Sequence, residues 1–185
     1  MIDISSYDEI DKILLSEDEI KSRVSSLGQQ ITTDYEGIEE PLILIGILKG
    51  SVFFLSDLSR QIDLPITFDF MAVSSYGNEA TSSGDVRILK DLDQKIEGKH
   101  VIIVEDIVDT GYTLSYLMKN LESRGAKSIK IASLLNKPER RIISVDIDYL
   151  GFNIPDEFIV GYGIDYAQKY RNLPFIATIK RDIYE

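Results

Sequence analysis

The feature that most constrains this chain is a repeated alternation, in which short apolar runs rich in β-branched residues are each followed by a segment of helical periodicity. LILIGI at residues 42–47, ITFDFMAV at 66–73, VIIV at 101–104 and SIKIASLL at 128–135 have the length of strands. Three of the four are apolar enough to be buried on both faces. Helical segments fall at residues 51–61 and 113–124, and Gly125 closes the second in the position glycine favours after a helix. An earlier helix is marked by Ser16 and Glu19, a pair that can satisfy each other's exposed backbone N–H groups at a helix start. After it, Ile20, Val24, Leu27, Ile31 and Tyr35 share one face. This alternation predicts an α/β fold with a mostly parallel sheet, right-handed crossovers and helices on both faces. Two stretches depart from the pattern. Residues 74–85, SSYGNEATSSGD, are polar with two glycines and read as a long mobile loop. Residues 146–179 hold short apolar runs between turn residues and predict extra strands forming a small cap on the main sheet.

A chain of 185 residues can bury one good core, so residues 1–185 are expected to form a single domain. The formal net charge of −11 argues against nucleic-acid and membrane partners, which need clustered lysine and arginine. A small anionic ligand is still compatible, provided its cations are local or supplied by a metal. The absence of cysteine excludes disulfides, a thiolate nucleophile and a thiolate zinc site. The start of the chain, MIDISSYDEIDK, has no basic segment followed by an apolar run, and no apolar stretch approaches the roughly 20 residues that span a bilayer. The expectation is a soluble, cytoplasmic protein.

The segment VIIVEDIVDTGYTL, residues 101–114, sets acidic and hydroxyl side chains directly behind a buried strand. In an open α/β sheet, ligands bind beyond the carboxyl ends of the strands, where loops lead into helix N-termini. Here Gly111 permits close backbone approach, and Thr110 and Thr113 add hydroxyls beside the unpaired N–H groups of the following helix. Such a turn holds a phosphate monoester through oriented dipoles, without a lysine. Glu105 and Asp106 have the chemistry to accept hydrogen bonds from a ribose diol or to approach hydrated Mg²⁺. Taken singly, Asp109 or Thr110 would cap a helix and the two acids would be solvated strand-end residues. Together they describe a cradle for ribose 5-phosphate. Competing phosphate motifs are missing: no G-x-x-x-x-G-K-[ST] occurs, and GYGIDY at Gly161 lacks the third glycine of the dinucleotide fingerprint.

The same segment resembles the phosphoribosyl-diphosphate (PRPP) motif of the type I phosphoribosyltransferases. GILKGS at Gly46, SSYG at Ser74, LLNKPERR at Leu134 and DEFIVGYGIDYAQKYR at Asp156 extend the resemblance to the hypoxanthine (hypoxanthine-guanine) branch of that family, over most of the chain. Tyr112 departs from the pattern at a position without an obvious chemical role. The resemblance implies transfer of 5-phosphoribosyl from PRPP to N9 of hypoxanthine or guanine with release of pyrophosphate, aided by Mg²⁺, in a homodimer or homotetramer.

It also implies roles for individual residues. Asp109 is the candidate general base toward N7 of the purine. PRPP and its phosphates fall to Glu105, Asp106, Asp109, Thr110, Gly111, Thr113, Lys49, Gly50 and Arg171. The purine falls to Lys137, Phe158, Ile159 and Asp165: a donor-only ammonium for O6, a ring to stack on, backbone at the pyrimidine edge and a Mg²⁺-linked carboxylate. Metal contacts are expected from Glu105, Asp106 and Asp165, and Ser75 and Tyr76 belong to the loop that closes as a lid. In the family the Leu48–Lys49 peptide can be cis. His100, with no partner in view, reads as structural. The alternative from another functional class is a regulator on this fold that senses PRPP or nucleotides and binds RNA. It would need a basic face, and the strongest local cluster, NKPERR, is small beside the net charge.

Overall fold

A run such as LILIGI has no side it can turn to water, because Leu42 and Leu44 point one way and Ile43 and Ile45 the other. It can only be an interior strand, and in the computed structural model, which describes residues 7–75 and 86–184, it is one. The elements are β1 (Ile10–Leu15), α1 (Glu17–Asp34), β2 (Leu42–Leu48), α2 (Val52–Ser59), β3 (Ile66–Ser75), β4 (Val86–Lys90), β5 (His100–Val108), α3 (Tyr112–Glu122), β6 (Ser128–Asn136), β7 (Tyr149–Asn153), β8 (Ile159–Val160) and β9 (Ile176–Ile179). The main sheet has the order β4-β3-β2-β5-β6-β7. All its pairs are parallel except β3 with β4.

The period-2 alternation of the strands divides the core in two. On one face Leu42, Leu44, Ile102 and Val104 pack with Ile20, Val24, Leu27 and Ile31 of α1 and Phe54 and Leu58 of α2. On the other, Ile43, Ile45 and Ile103 pack with Leu114, Leu117 and Leu121 of α3. The start of α1 carries the expected capping box between Ser16 and Glu19.

The cap differs from the expectation for residues 146–179. Tyr149–Asn153 does not join it but extends the main sheet as β7, parallel to β6. The cap is a three-stranded antiparallel sheet, β1-β9-β8, whose first strand comes from the other end of the chain. An uncovered edge of β6 would leave backbone groups unpaired, and β7 satisfies them. Arg23 of α1 fastens it, donating to the carbonyls of Leu150, with its nearer guanidinium nitrogen at 2.5 Å, and Gly151, at 3.1 Å.

Two polar groups, one buried and one half-buried, are structural. Asp69 is only 3% exposed, and its carboxylate accepts from the backbone N–H groups of Phe70, Asp93 and Gln94, holding the turn after β4. His100 lies at the amino end of β5, away from the carboxyl edge, with Nδ1 2.6 Å from Ser128 Oγ and its ring edge-to-face with Tyr35. Burial, with Lys127 nearby, holds its pKa down. Among the described residues no helix is long and apolar enough to cross a membrane.

Candidate active site

β2, β5 and β6 are adjacent and parallel, so their carboxyl ends meet at one edge of the sheet. The residues that directly follow those ends are Lys49, Asp109 and Lys137. Three polar side chains far apart in sequence are thereby delivered to one edge of the sheet by topology alone.

The acids sit inside a strand. β5 runs to Val108, four residues beyond the apolar run, because its backbone pairs with β6 through Glu105↔Ser133 and on to Val108↔Asn136. Backbone pairing is indifferent to side-chain polarity, so the ladder continues through Glu105 and Asp106. Burial, and then the neighbouring Asp106, push the Glu105 carboxyl well above the ordinary range. Burial also raises Asp106, opposed by the adjoining Glu105 carboxyl, by the hydrogen bond from the Ile107 N–H and by the charge of Arg171. Glu105 Oε2 is buried without a hydrogen-bond partner among the described residues. A cation or a pair of hydroxyl donors would supply what these two carboxyls lack.

Two helix N-termini open onto the same edge. Gly111, at φ +90°, precedes α3, and no side chain caps that helix. A Cβ there would fall 2.3 Å from the Ile143 carbonyl oxygen, so the turn requires glycine. Thr110 supplies its carbonyl to the N–H groups of Ile142 and Ile143, and Thr113 lies in the first turn of the helix. The start of α2 likewise has no side-chain cap, since Ser51 Oγ donates back to the Ile47 carbonyl. Uncapped first turns leave backbone N–H groups for an anion.

The Leu48–Lys49 peptide is cis. Lys49 Nζ donates to Gln168 Oε1 at 3.3 Å, and the Gln168 N–H donates to Asp165 Oδ2 at 2.8 Å. Asp165 Oδ1 pairs with Arg171 at 2.6 Å, and Arg171 Nη1 donates to the Gly163 carbonyl at 2.7 Å. Gly50 is pressed between two neighbours. A Cβ on it would lie 1.6 Å from Asp106 Oδ2, and a Cβ on Gly163 would lie 1.9 Å from the Gly50 carbonyl oxygen. Lys49, Gly50, Asp106, Asp165 and Arg171 are thus drawn into one continuous cluster.

The other half gathers around Lys137, which is only 6% exposed. Its backbone N–H donates to the Val108 carbonyl at the end of β5, and its Nζ donates to the Glu157 carbonyl at 2.7 Å and lies 3.5 Å from Asp156 Oδ1. Phe158, the next residue along, is 37% exposed. Ile159 is buried in β8, paired with Thr178. Asp109 Oδ1 lies 3.3 Å from Arg140 Nε, without hydrogen-bonding geometry, and Arg140 Nη1 is 3.8 Å from Asp156 Oδ1.

Ser75 is the last residue of β3 in the described segment, and Tyr76, with the rest of the expected lid through residue 85, lies outside the described residues. Among the described residues, Glu105, Asp106 and Asp165 do not form a three-carboxylate metal cage. Both oxygens of Asp165 are engaged by Arg171 and Gln168. Four residues of the site are not singled out by the sequence: Arg140, Arg141, Gly163 and Gln168. Arg141 donates to the Asp109 carbonyl at 2.9 Å and so fixes the turn that carries it. All four lie in segments that carry the family resemblance, LLNKPERR and DEFIVGYGIDYAQKYR, but nothing in those segments marks them individually.

A family model described as phosphoribosyl transferase domain matches residues 6–167. The chain is 49% identical over 177 residues to the hypoxanthine-guanine phosphoribosyltransferase of Bacillus subtilis (strain 168), covering 96% of this chain and 97% of that one. It matches the bifunctional protein TilS/HprT of Listeria monocytogenes serotype 4b (strain F2365) at the same identity, and spans 28% of that protein's length. The crystal structure of a hypoxanthine phosphoribosyltransferase from Staphylococcus aureus superimposes with a TM-score of 0.94 at 45% identity, covering 100% of both chains. That of the Trypanosoma cruzi enzyme in complex with its product IMP gives 0.90 at 43% identity, covering 96% of this chain and 98% of that one.

Proposed function

The chain belongs to the phosphoribosyl transferase family, and from that premise we propose that it salvages purines, transferring 5-phosphoribosyl from PRPP to N9 of hypoxanthine or guanine. The observation that carries this reading is the delivery of Lys49, Asp109 and Lys137 to one edge of the sheet by three adjacent strand ends. One end holds a pyrophosphate, one a purine, and the reacting carbon lies between them.

The 5-phosphate rests on the open N-terminus of α3 with Thr110, Gly111 and Thr113, and the ribose hydroxyls donate to Glu105 and Asp106. Lys49, the Gly50 backbone and Arg171 take the pyrophosphate. Phe158 stacks on the base while Ile159 presents backbone to its pyrimidine edge. The Lys137 ammonium has three donors; Glu157 takes one, and a remaining N–H meets O6. Adenine offers an amino group there, so two donors would face each other and one would lose its partner. As the C1′–N9 bond forms and the C1′–oxygen bond to pyrophosphate breaks, Asp109 accepts the proton from N7. The positive charge developing on the ribose is met by the nearby carboxylates, and the negative charge on the leaving oxygens by Lys49 and Arg171.

The partnerless Glu105 oxygen beside Asp106 fits Mg²⁺, which takes one or two carboxylates and completes its shell with substrate oxygens and water. When bound it supplies charge neutralisation for the diphosphate. Asp165 sits one contact further out and orients Arg171. Cytoplasmic residence belongs to the same proposal, because PRPP is too highly charged to cross a bilayer unaided. No observation favours the RNA-binding regulator.

Turnover with a panel of bases tests the reading. IMP should form from hypoxanthine and PRPP in the presence of Mg²⁺, guanine should be used, and adenine hardly at all. Robust adenine turnover, or activity indifferent to complete chelation, would overturn it.

The partner of the protein is a second copy of itself. A groove of about 680 Å³ runs beside Leu48 and is lined by Val52, Leu55, Ile66, Phe68 and Phe70, with Phe68 50% exposed. Apolar surface of this kind, rimmed by Arg60 and Lys90, is what a dimer buries. Light scattering should report a dimer or tetramer; only a 20.9 kDa species at micromolar concentration would contradict it.

A further inference from the structure

The ring offered to the purine already has a neighbour. Tyr184 is stacked on Phe158 with ring centroids 5.0 Å apart and planes inclined by 25°. Tyr166 meets the same ring at right angles, at 5.5 Å. Phe158 nevertheless keeps 37% of its surface exposed, so it has room for a second stacking partner.

Tyr184 is held in this place by contacts from three directions. It follows a single 3₁₀ turn, Arg181–Ile183, and its N–H bonds the Arg181 carbonyl. The Ile183 carbonyl accepts the Tyr166 hydroxyl at 2.8 Å, which joins the turn to the segment that carries Asp165. Before it, the Lys180 N–H donates to the Glu9 carbonyl, joining the turn to the start of β1. Phe158 itself is one residue from the carbonyl that holds the Lys137 ammonium.

We propose that Tyr184 is a positioning residue for the purine: it backs Phe158 and fixes that ring parallel to the incoming base, so that the closed site contains a three-layer stack of Tyr184, Phe158 and purine. The inference rests on the reading of Phe158 as the purine platform. A phenyl ring has two faces, and an offset or parallel neighbour on one of them restricts rotation without covering the other. Fixing the ring before the base arrives removes part of the ordering cost of binding, which appears in purine affinity and not in the chemical step. The contribution belongs to the ring, so the hydroxyl is dispensable.

Steady-state kinetics of the full chain, with hypoxanthine varied at saturating PRPP and PRPP varied at saturating hypoxanthine, test this. Tyr184→Ala should raise the KM for hypoxanthine about 2- to 12-fold, the span implied by one aromatic pair. The kcat and the KM for PRPP should stay within about twofold of the parent. Tyr184→Phe should restore the parental KM, which a merely structural role of the phenol would not do. Phe158→Ala should raise the purine KM further, and adding Tyr184→Ala to it should have no additional effect. If Tyr184→Ala leaves the KM unchanged while Phe158→Ala raises it, the positioning role is wrong and the platform stands. If Tyr184→Ala lowers the KM, Tyr184 occupies the place of the purine. If Phe158→Ala has no effect, the platform reading fails and takes this inference with it.

Discussion

The Asp109→Asn protein is expected to turn over hypoxanthine roughly 10²–10⁴-fold more slowly than the parent, the range associated with general acid–base catalysis, with a smaller change in the KM for PRPP. The substitution is close to isosteric, and the turn that carries Asp109 is held through its backbone: Arg141 Nε bonds the Asp109 carbonyl, and Thr110 accepts from Ile142 and Ile143. The ion pair with Arg140 disappears, but both side chains are more than a third exposed, so removing it costs little. What asparagine cannot do is accept the proton from N7. A kcat near the parental value would remove Asp109 as the base.

Gly50→Ala should lower kcat/KM for PRPP by about 10²-fold or more, the effect of displacing a reacting partner by an ångström or so. The added methyl would lie 1.6 Å from Asp106 Oδ2, and the Gly50 carbonyl on the other side is already against Gly163. Backbone cannot yield in that direction, so the carboxylate must turn away from its bond to the Ile107 N–H, 2.9 Å in the parent. The carboxylate proposed to hold both the ribose and Mg²⁺ is then displaced, although residue 50 has no side chain of its own to touch either. PRPP titration by calorimetry would show the loss directly. A variant whose kcat/KM for PRPP stays within about threefold of the parent would show that Asp106 is not held by this contact.

The two variants probe different kinds of information. The turn that carries Asp109 is legible in the sequence because its neighbours along the chain explain it, an apolar strand, two acids, a threonine and a glycine in one window of 14 residues, whereas the role of Asp109 as a base comes from the family resemblance alone. The buried strands, the capping box of α1 and the uncapped start of α3 are readable for the same reason, since periodicity and helix-end chemistry act within a few residues. Lys49, Lys137 and Arg171 are each unremarkable lysines or arginines in isolation, and only the family resemblance singles them out. The close approach of Gly50 to Asp106 and Gly163, the pairing of Arg140 with Asp109, and the stacking of Tyr184 upon Phe158 leave no mark on the sequence.

The division follows from distance along the chain. Hydrophobic pattern and local hydrogen bonding determined the strands, most of the helices and the glycine turn before α3, because each of those is stabilised largely by residues close to it in sequence. Whether residues 149–153 would cap the sheet or extend it was decided by the open edge of β6 and by Arg23, which is more than a hundred residues away. The meeting of Lys49, Asp109 and Lys137 was decided by the order in which parallel strands pair, and the stack on Phe158 by a turn that closes against β1 and Tyr166. Such contacts exist only once the chain has closed its long loops, and the free energy that selects them comes from burying surface that no short window of sequence contains.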